Sequence, residues 1–440
     1  MTENKVVKNA TWIIACKIVQ VLLNLVVTMM TARYLGPSGY GLVNYAASVV
    51  AFVSPIMQLG FNSVLVQELI NYPEEEGKTL GTALSTSLLS SAFCIVGVVA
   101  FVSVANAGEK ATLIVCALYA IQLVFSALEL VQYWFQAKLK SKYTSLVMLA
   151  AYVVVSAYRI FLLISGLSIY WFAISQALDY AIIAFSLLVI YKRLGNQKLA
   201  FSGATLRRMF KKSRYYIVSN LMIVIFAQTD RIMLKLMIDD AATGYYSAAV
   251  TCAGLTGFVF TAIIDSARPS VFESKKTGVG FEKNVCALYS VIIYLSLLQS
   301  LFISLLSPII VKILYGSAYT PTVSVLRVVV WYTTFAYLGS VRNVWILAEG
   351  KEKYLWILNL SGATLNVALN AIFIPVWGIM GAAVASLVTQ IFTNVALNFI
   401  VWPMRRTNVL MLKALNPKLL LSMAKSLKGN KQSEEESEKN

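Results

Sequence analysis

The chain has 440 residues, of which 58% are hydrophobic and only 13% charged, against roughly a quarter charged in soluble domains. With a mean hydropathy of +0.72, this excludes a soluble globular enzyme and leaves room for about a dozen membrane-crossing helices of about 20 residues each. The formal charge is +17 and histidine is absent, so His-based catalysis and His-ligated metal sites are excluded as well.

In chain order, the apolar runs fall at 10–33, 41–66, 80–105, 111–136, 144–166, 169–191, 215–237, 244–267, 285–306, 321–348, 355–375 and 378–402. They are too long and too uniformly apolar for barrel strands, which alternate over about ten residues. The first run is too long for a signal-peptide core and leads into Arg33-Tyr34-Leu35-Gly36, not a small-residue cleavage site. The five cysteines (Cys16, Cys94, Cys116, Cys252, Cys286) lie in or beside these runs without CxxC spacing. They read as small buried hydrophobes.

An even number of helices places both termini on one side. The segments assigned to that side (1–9, 67–79, 137–143, 192–214, 268–284, 349–354 and 403–440) carry 28 of the 37 Lys and Arg residues. The opposite side carries four: Arg33, Lys110, Lys235 and Lys312. By the positive-inside rule both termini are expected in the cytoplasm. The basic excess thus sets topology, with some attraction to anionic lipid, and does not call for nucleic acid. The tail, ending in Glu434-Glu435-Glu436 and Glu438, reads as polar and disordered.

The basic segment 192–214 divides the chain into six helices and six helices, with expected domains 1–200, 201–410 and a tail 411–440. Gly39-Tyr40-Gly41-Leu42 opens the second helix much as Gly244-Tyr245-Tyr246-Ser247 opens the eighth. Six helices per half make such repeats parallel, and transporters of this build hold substrate between their halves.

A charge at a helix centre costs about 2.5–3.5 kcal/mol on insertion scales, so each needs a reason. The cations inside spans are Lys17, Arg159, Arg231, Arg327 and Arg342; the acids are Glu129, Asp179, Asp230 and Asp265. In the first helix Lys17, Gln20, Asn24, Thr28 and Thr31 recur at helical spacing and share one face. Gln122, Ser126, Glu129, Tyr133 and Gln136 do the same in the fourth, and Asn220, Gln228 and Arg231 in the seventh. Asn359, Asn366 and Asn370, and then Gln390, Asn394 and Asn398, mark the last two. Two readings stand: interhelical hydrogen bonds and ion pairs that hold the bundle, or a wet central cavity lined by cations. In the second reading Lys17, Arg159, Arg231, Arg327, Arg342, Gln20, Asn24 and Gln228 contact substrate. Arginine's planar fork suits phosphate and carboxylate. Glu129, Asp179 and Asp265 are then candidate ion-coupling groups. Asp239-Asp240 reads as the solvated cap of a loop. Nucleotide-binding motifs of the GxxxxGK[ST] type are missing.

Three stretches carry a resemblance. They are Arg33-Tyr34-Leu35-Gly36-Pro37-Ser38-Gly39-Tyr40-Gly41, then Thr229-Asp230-Arg231-Ile232-Met233-Leu234 with Gly244-Tyr245-Tyr246-Ser247-Ala248-Ala249, and Leu347-Ala348-Glu349-Gly350-Lys351 through Asn366, Asn370 and Gly378-Ile379-Met380-Gly381. Over residues 5 to 405 the chain resembles the Wzx-type oligosaccharide flippases of the polysaccharide-transport family, in the MATE-like MOP exporter superfamily. The resemblance implies an all-α polytopic membrane protein of about twelve spans in two pseudo-symmetric six-helix bundles forming a V. It implies translocation of undecaprenyl-pyrophosphate-linked oligosaccharide repeat units across the bacterial cytoplasmic (inner) membrane, with no cofactor. Partners would be the lipid-linked oligosaccharide, membrane lipid, a coupling ion (H+ or Na+) and a polysaccharide polymerase. The alternatives are a MATE-like drug or ion antiporter and a non-transporting membrane partner of the polymerase.

Overall fold

The computed structural model describes residues 3–195 and 197–417, with side chains from Leu23 onward and that of Gln20. Lys17, Cys16 and the acidic tail lie outside the described side chains. All regular structure among the described residues is helical.

The first helical segment, Glu3–Met57, is interrupted at Gly36 (φ 67, ψ 177). The positive φ favours glycine, and the extended ψ suits the residue before Pro37. We name the arms α1 (3–35) and α2 (37–57). After a turn at Leu59 and Gly60, both left-handed, α2 continues as Phe61–Asn71. Then follow α3 (Glu76–Ala105), α4 (Lys110–Ala137), α5 (Ser141–Ile164), α6 (Ile169–Leu194) and α7 (Gly203–Met237). Helix α8 is bent by 43° between Asp240–Gly254 and Gly257–Thr277. It leads to α9 (Phe281–Tyr315), α10 (Thr322–Ala348), α11 (Leu355–Trp377), α12 (Ile379–Ile400) and a short α13 (Arg405–Ala414).

Among the described residues ten helices are long and apolar enough to cross a membrane, with Leu23–Asn71 counted as one; bent α8 adds an eleventh. The Gly36 break divides Leu23–Asn71, so each of the twelve apolar runs has its own helix. The all-α polytopic fold read from the sequence is the fold observed.

The chain forms two compact units, Met1–Gly244 and Tyr245–Asn440. In the first, one core joins α2 through Tyr45, Val49 and Met57 to Val98, Cys116, Leu123 and Ala173. A second joins Phe61 and Leu65 to Leu80, Trp134, Phe135, Leu187 and Met209. In the second unit, Phe260, Ile264, Tyr289, Ile292, Trp345, Leu358 and Leu410 pack as one cluster. The four described cysteines are buried and free, as expected of small hydrophobes.

Glycine sets the closest approaches, because only a residue without Cβ lets two backbones touch. A Cβ on Gly41 would lie 1.7 Å from the Asp240 carbonyl oxygen, and one on Gly244 would lie 2.0 Å from that of Pro37. The glycines of the two glycine-tyrosine stretches noticed in the sequence, Gly41 and Gly244, thus face each other within the first unit. Gly77 and Gly81 on α3 similarly admit the segment that connects α6 to α7. There Ala200 N–H donates to Gly77 O, and Gln197 accepts from Gly77 N–H.

Candidate functional site

In the first unit the intramembrane charges converge. Arg159, on α5, donates from Nε to Ser175 Oγ (2.9 Å) and from Nη2 to Gln176 Oε1 (3.0 Å), both on α6. One turn further along α6, Asp179 lies within Coulombic reach of Arg159 and of Glu129 on α4. Its buried Oδ1 accepts no hydrogen bond among the described residues. On α7, Arg231 Nη1 donates to Gln228 Oε1 at 2.7 Å, and that oxygen also accepts from Ser48 on α2 at 3.0 Å. Tyr119 on α4 sits within electrostatic range of both Arg159 and Arg231. Four helices of one unit thus bring together Arg159, Arg231, Gln228, Glu129 and Asp179, all half-buried.

Gln20 is also half-buried, whereas Asn24 is exposed and accepts from Thr28 Oγ1 at 3.0 Å. Asp230, next to Arg231, is 5% exposed.

At the α7–α8 turn the structure departs from expectation. Lys235 is buried, bonded to Glu109 in the α3–α4 turn at 2.6 Å and to Asp240 at 3.0 Å. The hydrogen bond from Lys235 holds the Glu109 carboxyl below the usual carboxylate range. Asp239 accepts from the Ala242 N–H at 2.7 Å, which satisfies a free donor at the start of α8. Of the pair Asp239-Asp240, Asp239 is exposed and caps the helix, as expected of a solvated cap, whereas Asp240 is half-buried and pairs with a buried lysine.

At the other end of the unit, fully buried Glu68 accepts from Arg208 Nε (2.9 Å) and Lys212 Nζ (2.5 Å), while Arg208 also reaches Glu75 (3.1 Å). A buried carboxylate with two cations and several hydrogen bonds is the form in which such a charge is tolerated.

The second unit treats its polar groups differently. Arg342, on α10, is 3% exposed. Its Nη1 donates to the Thr393 carbonyl at 2.7 Å and its Nη2 to Asn343 Oδ1 at 3.1 Å. Thr393 lies in a π-helical turn, Phe392–Ala396, inside α12. Such a turn departs from the regular i→i−4 ladder, and Arg342 donates to one of its carbonyls. Along α12, Asn394 donates to Gln390 Oε1 (2.6 Å) and Asn398 to Asn394 O (2.7 Å) and Asn408 (3.1 Å). Asn394 faces α10 at Gly339, where a Cβ would meet its Oδ1 at 2.2 Å. On α11, fully buried Asn366 donates to Ser386 Oγ on α12 at 3.4 Å. These amides hold helices together.

The other two candidates of this unit are exposed. Arg327 donates from Nε to Ser307 Oγ on α9 at 3.1 Å. Asp265 pairs with Arg268 on its own helix at 2.9 Å. Outside the spans, burial works to raise the Glu349 carboxyl, but its pairing with Lys275 and Lys351 holds it below the usual range.

Sequence reasoning missed the neutral partners of Arg159, the role of Tyr119 and the burial of Lys235. Ser175 and Gln176 stand four and three residues before Asp179, on neighbouring positions of one helix, and that spacing was the available signal.

Residues 6–275 match the family described as polysaccharide biosynthesis protein. Among curated proteins none matches the chain by sequence. In fold it is similar to the lipid II flippase MurJ in an inward closed conformation, with a TM-score of 0.73 at 16% identity over 92% of this chain and 90% of that one. It is similar to a multidrug resistance MATE family transporter of the MOP superfamily in its inward-facing conformation (TM-score 0.66, 13% identity, 89% and 95% covered). A MOP superfamily transporter from Pyrococcus furiosus is a more distant likeness (TM-score 0.53, 14% identity, 92% and 96% covered). At these identities the solved structures speak for the fold, while the sequence match, which covers more than half of the chain, speaks for the family. The chain belongs to the polysaccharide biosynthesis protein family and carries the fold of MOP superfamily transporters.

Proposed function

We propose that this protein is a flippase that moves undecaprenyl-pyrophosphate-linked oligosaccharide repeat units across the bacterial cytoplasmic membrane, for O-antigen, capsule or exopolysaccharide assembly. The family match and the MurJ-like fold support a lipid-linked substrate. The observation that carries the reading is Arg159. Inside a membrane span it donates to a hydroxyl and an amide, so its hydrogen bonds orient the fork toward neutral partners and not toward a carboxylate. With Arg231 near the same tyrosine, it forms a polar pair that suits a pyrophosphate. Lys17 and Arg327 extend the proposed contact set, whereas Arg342 is held by a backbone carbonyl and serves the packing of α10 and α12.

The six-helix repeats 1–200 and 201–410 are the proposed moving bodies of alternating access, with 411–440 a cytoplasmic tail. The charge bias supports cytoplasmic termini. Glu129 and Asp179 are the proposed site for a coupling proton or sodium ion. That pair is also what favours the second reading, a MATE-like cation antiporter.

Deleting the gene in its host separates the two. The flippase reading expects trapped lipid-linked repeat units in the inner leaflet and loss of surface polymer. Unchanged polymer without trapped intermediates, with altered drug tolerance, contradicts it.

A further inference from the structure

The N-terminal third of α7 has two basic faces of different character. Arg208 and Lys212 are neutralised by Glu68 and Glu75. Arg207 and Lys211, one position before each, are exposed and make no ion pair among the described residues. Being four apart, they lie on one face of the helix.

Of these two, Arg207 lines a groove of 460 Å³, whose other walls include Leu59, Leu89, Phe93, Leu206 and Phe210. Leu89 and Phe93 on α3 are 62% and 71% exposed. Its floor is fixed by the break in α2. Left-handed Leu59 and Gly60 bring the chain close to α7, so a Cβ on Gly60 would lie 2.6 Å from the Ser213 carbonyl oxygen. The groove shares no residue with the Arg159, Asp179 and Arg231 cluster.

An apolar groove with Arg207 in its wall and Lys211 one turn further along the same helix face matches a molecule with an anionic head and an apolar tail. Arg and Lys hold such heads while their stems lie on apolar surface. We propose that this groove binds an anionic phospholipid, with its phosphate on Arg207 and Lys211 and one acyl chain over Leu59, Leu89 and Phe93. The contrast between paired Arg208–Lys212 and unpaired Arg207–Lys211 is the charge complementarity that selects an anionic occupant. The inference does not depend on which substrate the protein moves.

Native mass spectrometry of the full-length protein, extracted gently from nanodiscs of phosphatidylcholine and phosphatidylglycerol, reads the occupant directly. The wild type is expected to retain phosphatidylglycerol over phosphatidylcholine. Arg207→Gln should lower that preference about fivefold, the equivalent of roughly 1 kcal/mol per surface cation. Leu89→Trp, which fills the groove, should remove the retained lipid of either head. Lys276→Gln, an exposed cation of the second unit, should change nothing. Should Arg207→Gln fail to yield folded protein, Leu89→Trp decides alone. An unchanged lipid count in Leu89→Trp, or an unchanged preference in Arg207→Gln, overturns the proposal. So does full displacement by equimolar undecaprenyl phosphate, which would assign the groove to the polyprenyl chain instead.

Discussion

In the first unit the intramembrane cations meet side chains: Arg159 meets a serine and a glutamine, and Arg231 a glutamine, while Asp179 and Glu129 lie within Coulombic reach of each other. In the second, the buried cation meets a backbone carbonyl as well as the side chain of its neighbour Asn343, and the polar stripes of α11 and α12 are neutral amides bonded to one another and to neighbouring helices. Side-chain partners can rotate away to admit a ligand, whereas a backbone carbonyl in a helix cannot. The difference separates charges available for chemistry from charges committed to packing, although both look alike as polar residues in an apolar run.

The largest expected effect lies where backbone meets backbone. Gly41→Ala would place a carbon 1.7 Å from the Asp240 carbonyl, and neither stretch can retreat without breaking the contact. A loss of about 4 kcal/mol or more, seen as absent folded protein by size exclusion, is expected. Normal yield would mean that residues 37–41 and 240–244 do not pack as described.

Next comes Arg342→Ala, which removes the side-chain donor to the buried Thr393 carbonyl and opens a void between α10 and α12. A cost of about 3 kcal/mol is expected from those two terms. A fall in the melting temperature of detergent-solubilised protein measures it. If Arg342 instead serves substrate, polymer export falls while the melting temperature holds. Gly339→Ala should cost less, about 1 kcal/mol. The atom it strikes is the amide end of Asn394, which can swing aside at the expense of its bond to Gln390.

The smallest effect is a pH dependence. The Glu109 carboxyl titrates lower in the folded protein than in the unfolded chain. Its contribution is thus full above the ordinary carboxylate pKa of about 4.3 and is lost as pH falls through the depressed value. Because its side chain is 45% exposed, solvent screening limits the effect to a few tenths of a kcal/mol. A melting series from pH 7 to pH 3 should show a shallow decline that Glu109→Gln makes shallower, the remainder coming from carboxylates such as Glu349 that are also held low. An identical decline in that variant would assign it to another carboxylate.

Much of this architecture is legible from residue order alone. A run of about 20 apolar residues has few alternatives to a spanning helix, and all twelve runs are helices here. The break at Gly36-Pro37 is legible for local reasons, since the glycine accepts a positive φ and the proline starts a helix. Helical spacing also revealed the stripe Gln390, Asn394 and Asn398. Which neighbour a stripe faces was hidden, because partners are chosen by packing between residues far apart in the chain. Glu68 finds Arg208 and Lys212, 140 and 144 residues away. Lys235, counted among the residues outside the spans, is buried because Glu109 and Asp240 reach it. The π-helical turn that engages Arg342 has no composition of its own to announce it.

The proposed flipping of a lipid-linked oligosaccharide, with Arg159 contacting it, can be tested directly. The most direct measurement reconstitutes wild-type protein and Arg159→Gln in vesicles containing an undecaprenyl-pyrophosphate-linked repeat unit, and follows the appearance of the sugar on the opposite leaflet. Wild-type protein should move the sugar, and Arg159→Gln should move it at least tenfold more slowly while melting within a few degrees of the wild type. Equal rates in the two would remove Arg159 from the site, and no movement by folded wild-type protein would contradict the flippase assignment itself.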